Sequence, residues 1–391
     1  MNIEKLRKDF PILKDGKIIY FDNACMSLKP VQVVRAMERY YYEFPGCAGR
    51  SMHKIGKRTE EEYAKSREKA AKFINAKHGE IVFTKNTTES INLVSHSIKL
   101  GKNDTVLTTD KEHNSNLIPW QRCGARHEVI VTNEDGTFSM ENLKKILNKS
   151  VKLVSVVHTS NIDGVTNPAK EISKMAHDAG AKVLLDCAQS APHKEIDVKR
   201  IGADFIAFSG HKMLGPSIGV LYGRRDLLEG MEPFMTGGDT VSRTTYRSAE
   251  FLKPPEKFEA GLQNYAGAIG HAAAMDYLNG IGMKNIERHE TGLNECATKS
   301  LSEIEGVGIL GPRASERSGI LSFNIEDIDF HQIALMASEM GIMLRSGQHC
   351  VHSWFASRGI AGSVRASFYL YNTRDEVDKF VDALKKIAAL R

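Results

Sequence analysis

The 391-residue sequence has no long apolar run. No stretch approaches the ~18 apolar residues of a membrane span, and residues 1–10 lack the apolar core of a signal peptide. The sequence also lacks a large excess of charge of either sign. It has 53 Lys and Arg and 48 Asp and Glu, and the small basic excess is scattered along the chain. These absences predict a cytoplasmic protein without nucleic-acid or membrane partners, which binds small molecules or other proteins.

Cysteine is scarce and widely spaced. The sequence has no Cys-x-x-Cys pair and no Cys/His cluster of the zinc-finger kind, so we expect no metal site. In a reducing cytosol most of the thiols are expected to stay free, and five of the six are expected to serve only as small apolar side chains. The six are Cys25, Cys47, Cys123, Cys187, Cys296 and Cys350.

The signatures of several common enzyme classes are missing as well. The sequence contains no Gly-x-x-x-x-Gly-Lys-Ser/Thr, no His-Glu-x-x-His, no Gly-x-Ser-x-Gly and no Rossmann glycine fingerprint opening a helix. NTPase, zinc protease and serine hydrolase functions therefore have no support in the sequence.

From about residue 80 to 225, short β-rich runs alternate with helical stretches. Strands that are apolar on both faces and alternate with helices predict a mainly parallel sheet covered on two sides, which is an α/β fold. The seven predicted strands lie at residues 81–84, 105–109, 129–132, 151–159, 182–186, 205–208 and 219–222.

The pattern changes after residue 265. An Ala- and Gly-rich helix is predicted near 265–278, and a mixture of helices and strands ending in an amphipathic helix follows residue 290. We therefore expect a large domain at 20–265, a connecting helical region at 266–289, and a smaller α+β domain made of 1–19 and 290–391. No linker separates the domains, so we expect them to pack closely. Ligands are expected in the cleft between them, at the carboxyl ends of the strands.

Two neighbouring predicted strands end in polar residues of opposite charge. Asp186 ends one strand and Lys212 follows the next. An amine and a carboxylate at adjoining strand ends suit pyridoxal 5'-phosphate, whose aldehyde bonds to a lysine and whose pyridine nitrogen needs an anion. A plain ion pair would explain these two residues equally well.

A phosphate site favours the cofactor. Thr87 and Thr88 stand where a predicted strand turns into a helix, at the positive end of the helix dipole. Ser209 and His211 offer further donors close to Lys212, and His113 is placed to lie against the cofactor ring. Taken alone, a capping threonine without a ligand would explain the helix start.

Two residues of the second domain are candidates for the reaction itself. Cys350 lies in a short polar segment beside a histidine and close to an arginine, a setting that can hold a thiolate, whereas a packing cysteine would have apolar neighbours. Arg365 can bind a substrate carboxylate through two parallel hydrogen bonds, although a structural ion pair is the commoner role of arginine.

These motifs occur together along the chain and carry a family resemblance. The chain resembles the cysteine desulfurases of the class V aminotransferase group, which have the pyridoxal-phosphate fold type I, and specifically the Suf-type branch that includes selenocysteine lyases. The likeness runs from about Ile19 to the last helix. It rests on Thr87-Thr88-Glu89, Glu112-His113, Asp186-x-Ala188-Gln189, Ser209-Gly210-His211-Lys212 and Arg345-x-Gly347-x-His349-Cys350.

The resemblance implies a homodimer that uses pyridoxal 5'-phosphate to convert L-cysteine to L-alanine. Sulfur would pass as a persulfide on Cys350 to an acceptor such as an iron–sulfur scaffold protein. The resemblance implies that Lys212 bonds to the cofactor and moves protons, that Asp186 binds the pyridine nitrogen, and that His113 stacks on the ring. Thr88, Ser209 and His211 are implied to bind the phosphate, with Gln189 and Asn161 near the ring hydroxyl and the substrate. Arg365 is implied to bind the substrate carboxylate, with Arg50 and His53 at the entrance.

The chain departs from the family pattern at several positions. Gly49 stands where family members often have a histidine, and Gln348 replaces the first histidine of Gly-His-His-Cys. Leu262 and Gln263 follow the Phe-Glu-Ala-Gly motif in place of a threonine that reaches the partner subunit's cofactor phosphate. Gln263 or Asn264 is therefore expected to replace that contact, and His349 is expected to favour the thiolate form of Cys350.

Three other functions fit parts of the same sequence. A selenocysteine lyase would not need a protein thiol, because selenium leaves without one, and another enzyme of the group would leave Cys350 unexplained. A non-catalytic binding or assembly subunit would leave Lys212 and Asp186 unexplained.

Overall fold

The computed structural model describes all 391 residues and contains fifteen strands. In chain order they are β1 (Ile19–Tyr20), β2 (Ile81–Thr84), β3 (Thr105–Thr109), β4 (Arg126–Ile130), β5 (Val151–Val157), β6 (Lys182–Asp186), β7 (Phe205–Ser209), β8 (Gly219–Gly223), β9 (Val241–Thr244), β10 (Ala249–Phe251), β11 (Val307–Leu310), β12 (Ile320–Ile325), β13 (Ile342–Met343), β14 (Arg345–Gly347) and β15 (Ser363–Ser367).

Fourteen α-helices connect and cover these strands, together with several short 3₁₀ helices. None of them combines the length and the apolarity that crossing a membrane requires. They are α1 (Ile3–Arg7), α2 (Val31–Glu43), α3 (Lys54–Phe73), α4 (Thr87–Ser97), α5 (Ile118–Gln121), α6 (Met140–Ile146), α7 (Ala169–Asp178), α8 (Val198–Ile201), α9 (Arg225–Gly230), α10 (Tyr265–Ile281), α11 (Met283–Leu301), α12 (Phe330–Glu339), α13 (His352–Ser357) and α14 (Arg374–Ala388).

Seven strands form the central sheet in the order β2-β8-β7-β6-β5-β3-β4. Strand β8 runs antiparallel to both of its neighbours, and the other four neighbouring pairs are parallel. The predicted mainly parallel seven-stranded sheet is therefore confirmed.

Helices cover both faces of this sheet. Val183 and Leu185 of β6 point into one large apolar core, whereas Leu184 between them points into a second core on the opposite face. Successive side chains of a strand project to opposite sides, so a strand that is apolar throughout must be buried on both faces of the sheet. The polar residues that the strands carry are consequently left at their ends.

The edge strand β4 lies earlier in the chain than predicted. The apolar run at 129–132 suggested a strand there, but the structure pairs residues 126–130 with β3. Four of the five residues of β4 are at least partly exposed, because an edge strand has a neighbour on one side only. Pairing with β3, rather than apolar character, sets its position.

A smaller antiparallel sheet forms the second part of the fold, in the order β11-β12-β15-β14. Helices α11, α12 and α14 pack against it around a separate apolar core. Ile19 joins this core, whereas Phe10 and Leu13 pack into the large core. The N-terminal segment therefore contacts both parts of the molecule.

Helix α10 is buried along most of its length and packs behind the turn that follows β7. That turn needs a glycine, because a Cβ at Gly210 would come within 2.7 Å of the Pro216 carbonyl oxygen and 2.8 Å of His271 Nδ1. His271 itself has no exposed surface, and neither ring nitrogen has a hydrogen-bond partner. Burial, and then the charge of His211, lower its pKa to about 3.

We expect His271→Leu to stabilise the protein. Removing an unpartnered buried polar group should raise the free energy of unfolding by about 1 kcal/mol at pH 7.5. Because the folded pKa lies below the unfolded value of about 6.5, His271 contributes stability that is lost as the pH falls below 6.5. The advantage of the variant should therefore grow by about 1.4 kcal/mol at pH 5.5.

Urea unfolding at both pH values measures these differences. His78→Leu is the control, since His78 is exposed. A stability difference between the His271 variant and the parent chain that does not change with pH would contradict the expectation.

Candidate active site

A cavity of about 210 Å³ opens at the carboxyl ends of the central strands. Residues from the large domain and from β14, β15 and the following loop line it together. It collects eleven of the residues predicted for the site, namely Thr87, Thr88, His113, Asn161, Asp186, Gln189, Ser209, His211, Lys212, Cys350 and Arg365.

Asp186 and Lys212 reach this cavity from neighbouring parallel strands. Asp186 is the last residue of β6, and Lys212 ends a 3₁₀ turn directly after β7. Burial raises the pKa of the Asp186 carboxyl, although the Ala188 N–H and the charge of Lys212 oppose the rise. Burial also lowers the pKa of the Lys212 amine, with Asp186 opposing. A neutral amine is the form that attacks a carbonyl carbon.

Two buried amide oxygens in the cavity have no hydrogen-bond partner. Asn161 donates from Nδ2 to the His349 carbonyl at 2.7 Å, and Gln189 donates from Nε2 to the Ala24 carbonyl at 2.6 Å. Their Oδ1 and Oε1 atoms are left unpaired. Because buried acceptors are nearly always satisfied, these oxygens fit a ligand that carries hydroxyl or N–H donors.

The start of α4 provides a site for an anion. Asn86 caps this helix by accepting from the Glu89 N–H at 3.0 Å, so the alternative explanation, a threonine that only caps the helix, does not hold. The two threonines are free for other contacts: Thr87 Oγ1 lies 2.6 Å from Ser209 Oγ, and Thr88 Oγ1 lies 2.7 Å from Ser115 Oγ. Hydroxyls at the N-terminus of an eleven-residue helix suit a phosphate group.

His113 is a neutral imidazole. Burial, and then the charges of Lys212 and Arg365, lower its pKa to about 3. Its Nδ1 accepts from the Ser115 N–H at 3.1 Å, which places the ring proton on Nε2. A neutral ring can lie against an aromatic cofactor without adding a positive charge near its pyridine ring.

Glu112 was not predicted as a site residue, yet it supports the site. Its carboxylate is buried and accepts four hydrogen bonds, two from Thr109 and one each from the Val157 N–H and Asn116. Burial raises its pKa to about 8, and the hydrogen bonds oppose the rise. The network ties the turn that carries His113 to the end of β5.

We expect Glu112→Gln to destabilise the protein. Above pH 8, where the carboxyl is ionised, every group facing it is a donor, so the new amide nitrogen must face one of them and leave it unpaired. The expected loss is about 1–3 kcal/mol in the free energy of unfolding. Urea unfolding of this variant and of Glu128→Gln, an exposed control on β4, measures it. Equal stabilities of the two variants would contradict the expected loss.

Cys350 lies on a short loop between β14 and α13. His349 and Cys350 both have positive φ angles, +49° and +60°, a conformation that costs a non-glycine residue free energy unless its surroundings hold it. The Asn114 N–H donates to the Cys350 carbonyl at 2.7 Å, and Asn161 binds the preceding carbonyl. The thiol is partly exposed in the cavity.

The prediction that His349 favours a thiolate at Cys350 is wrong. His349 is buried, and burial together with the charges of Arg365 and Arg345 lowers its pKa to about 2, so its ring carries no charge. Its Nε2 lies 2.9 Å from Ser363 Oγ, an interaction within the small domain. The cations that line the cavity are instead Arg345, Arg365 and Lys212.

Arg365 is placed on β15 at the junction of the two domains. Its side chain is 2% exposed, donates to the Asn161 carbonyl at 3.0 Å, and lies 3.4 Å from Asp22. Its Nε is buried without a partner. A buried arginine with unused donors in a cavity is suited to a carboxylate ligand.

Three predicted site residues lie away from the cavity. Arg50 is exposed and pairs with Asp239, and Gln263 donates to the carbonyls of Glu259 and Gly261. His53 caps α3 by accepting from the Gly56 N–H at 3.2 Å. Arg50 and Gln263 line a separate depression of about 360 Å³ on the same chain.

Proteins of known function are similar to this chain in sequence and in fold, and cysteine desulfurases are among them. The aminotransferase class-V family model matches residues 19–380. The cysteine desulfurase of Haloferax volcanii is 40% identical over 98% of this chain and 96% of its own length, and a probable cysteine desulfurase of Halalkalibacterium halodurans is 41% identical over 99% and 98%. The chain belongs to the cysteine desulfurases of the class V aminotransferase family.

Solved structures agree with this family. The structure of an apo cysteine desulfurase from Thermococcus onnurineus has a TM-score of 0.95, with 41% identity over 99% of this chain and 98% of that one. A cysteine desulfurase of Escherichia coli, solved as an S-sulfonic acid, has a TM-score of 0.93 and 33% identity over 100% and 99%.

The cofactor of this family is pyridoxal 5'-phosphate, and the cavity fits it. The buried Asp186 carboxylate lacks the cationic partner that a protonated pyridine nitrogen would supply. The unpaired oxygens of Asn161 and Gln189 suit hydroxyl and amine donors, and the hydroxyls at the start of α4 suit the phosphate. Lys212 supplies the amine for the aldehyde.

Proposed function

We propose that this enzyme converts L-cysteine to L-alanine and holds the released sulfur as a persulfide on Cys350. The observation that carries this proposal is the shared cavity of Lys212 and Cys350, which belong to different domains. Arg365, which suits a substrate carboxylate, lines the same cavity as these two residues.

Each residue of the cavity has a separate role in the reaction. When bound, the cofactor supplies an aldehyde for the substrate amine and a protonated ring that withdraws electrons. Asp186 keeps the ring nitrogen protonated, and Lys212 takes the Cα proton and returns a proton to the product. Arg365 holds the substrate carboxylate, and His113 orients the ring while staying neutral.

Cys350 then accepts the sulfur. Its thiolate attacks the substrate sulfur, so that a sulfur–sulfur bond forms while the carbon–sulfur bond breaks. The electron pair of the broken bond stays on the carbon side, where a proton completes alanine. Arg345 and Arg365 provide positive charge for the thiolate.

The proposal extends to the fate of the sulfur. A persulfide on a partly exposed cysteine can be attacked by a thiol of another protein, so we assign the sulfur to an acceptor such as an iron–sulfur scaffold, in the cytoplasm. We also propose that 20–265 form the large unit, 266–289 the connection, and 290–391 with residues 1–19 the small unit, with Phe10 and Leu13 of that N-terminal segment packing into the large core.

A homodimer would explain the three residues that lie outside the cavity. Arg50 and Gln263 line one depression, and close to them along the chain Met52 and Leu262 are 82% and 73% exposed. Large apolar side chains rarely gather on a free surface. A second copy seated there would bring these polar groups toward its own active site.

We expect Leu262→Asp to weaken this dimer. A carboxylate placed in an apolar interface loses hydration without gaining a partner, which costs several kcal/mol for a buried charge. Light scattering at micromolar concentration should then report a larger share of monomer than for the parent chain. Leu335→Asp is the control, because Leu335 is 67% exposed on α12 of the small domain. Equal masses for both variants would argue against this interface.

The activity is tested with the purified chain, pyridoxal 5'-phosphate and L-cysteine. In the absence of a reductant, alanine and protein-bound sulfane sulfur should appear in equal amounts during the first turnover. Selenocysteine in parallel separates a desulfurase from a selenocysteine lyase. Alanine formed from neither substrate, in a protein that stays colourless after reconstitution, would favour a non-catalytic subunit.

A further inference from the structure

A second thiol lines the active-site cavity. Cys25 lies in the loop after β1, partly exposed, and Cys25 and Cys350 are the two of the six cysteines that border the cavity. The Cys25 N–H donates to the Asp22 carbonyl at 3.1 Å, and the carbonyl of the preceding Ala24 accepts from Gln189 at 2.6 Å. The position of the thiol is therefore fixed by residues that shape the site.

Cys25 is hydrogen bonded to an arginine. Arg345 Nη1 donates to Cys25 Sγ at 3.1 Å, across 320 residues of sequence. A guanidinium can donate a charge-assisted hydrogen bond to an anionic sulfur, so this contact suits a sulfur atom that takes part in a transfer. Arg345 begins β14, the strand that leads into the Cys350 loop, so this arginine connects the surroundings of both thiols.

Both thiols lie close to the same reacting centre. Cys25, Cys350, Lys212 and Arg365 all line the same cavity of about 210 Å³. The buried and unpartnered Nε of Arg365 in this cavity also points to a ligand there. The other cysteines are placed differently, since Cys187 is buried and Cys123 donates to the Trp120 carbonyl.

We propose that Cys25 takes the sulfane sulfur from the Cys350 persulfide and serves as a second sulfur-carrying residue of the active site. This inference rests on the proposed function, since Cys350 must first be loaded. The Cys25 thiolate attacks the outer sulfur of the persulfide. A sulfur–sulfur bond forms at Cys25 while the bond at Cys350 breaks, and Cys350 leaves as a thiolate. The exchange needs no oxidant or reductant.

The transfer has a measurable consequence. Because Cys350 is restored as a thiolate, the same chain can react with a second cysteine before any acceptor protein arrives. Two sulfane sulfurs per chain, accompanied by two alanines, are therefore expected when L-cysteine is in excess. Without Cys25 the limit is one.

The experiment uses the full-length holoenzyme and ³⁵S-labelled L-cysteine without a reductant. After alkylation, peptide mass spectrometry locates the label at successive times, and alanine is counted in the same samples. We expect label on Cys350 first and on Cys25 later, reaching two per chain. Cys25→Ala and Cys25→Ser should both stop at one, Cys350→Ala should label neither position, and Arg345→Gln should slow the appearance of label on Cys25.

Distinct results overturn the inference. Label that stays on Cys350 alone while alanine forms would remove Cys25 from sulfur transfer and leave the proposed function standing. Label on Cys25 in Cys350→Ala would show direct loading from substrate, and equal label on Cys123 and Cys296 would show transfer through free sulfide. If the unaltered chain forms no alanine, the proposed function fails, and the inference fails with it.

Discussion

Replacing Lys212 with alanine is expected to abolish alanine formation from L-cysteine. The variant lacks both the amine that bonds to the cofactor aldehyde and the group that moves protons at Cα. General acid–base catalysis alone contributes about 10²–10⁴-fold, so the rate should fall by at least that factor. The visible absorbance band of the lysine–cofactor linkage should also be missing. Steady-state alanine release and an absorbance spectrum of the reconstituted protein measure the two effects.

Two further variants separate chemistry from charge. Lys212→Arg keeps a cation near Asp186 but removes the nucleophilic amine, and it should be as inactive as the alanine variant. Lys194→Ala removes a lysine that pairs with Glu287 outside the cavity, and it should behave as the parent chain does. An active Lys212→Arg enzyme would mean that Lys212 acts through its charge alone.

The second large effect is expected for Cys350→Ala, which should lose at least about 10²-fold in alanine formation, since Cys350 attacks the substrate sulfur and Cys25 takes sulfur only from Cys350. The cofactor band and binding of L-cysteine should persist, because Lys212 and Arg365 are unchanged. Exchange of the substrate Cα proton with deuterated solvent should also persist, since that step precedes sulfur transfer. Mass spectrometry of recovered cysteine follows this exchange.

Selenocysteine and a second cysteine variant complete the test. Selenocysteine should still be cleaved by Cys350→Ala, because selenium leaves without attack by a protein thiol. Cys123→Ala changes a thiol outside the cavity and should keep the parent rate. Unimpaired turnover of L-cysteine by Cys350→Ala would remove Cys350 from the mechanism.

Some contacts of the site were beyond what the sequence could predict. In the sequence, Cys25 was only one of six scattered cysteines, and its neighbours along the chain did not suggest a catalytic role. Its partner Arg345 comes from the small domain, so the pair exists only after the two domains pack. Glu112 was noted only as the neighbour of His113, because its four donors come from three separate segments.

The tertiary structure also changed the expected role of His349. Its position next to Cys350 suggested a cation beside a thiol. Burial and two nearby arginines instead keep the imidazole neutral, and its Nε2 is engaged with Ser363. Charge in a protein depends on the surroundings in space, and neighbours along the chain do not reveal them.

The amino-acid sequence by itself determined the seven-stranded sheet and the meeting of Asp186 with Lys212. Apolar periodicity places the strands, and the carboxyl ends of adjacent parallel strands necessarily share one edge of a sheet. Only the tertiary structure decided that Arg50, His53 and Gln263 lie outside the cavity of their own chain and that Arg345 contacts Cys25. Those outcomes depend on how separate elements pack, because burial and distance between remote residues set both hydrogen bonding and charge.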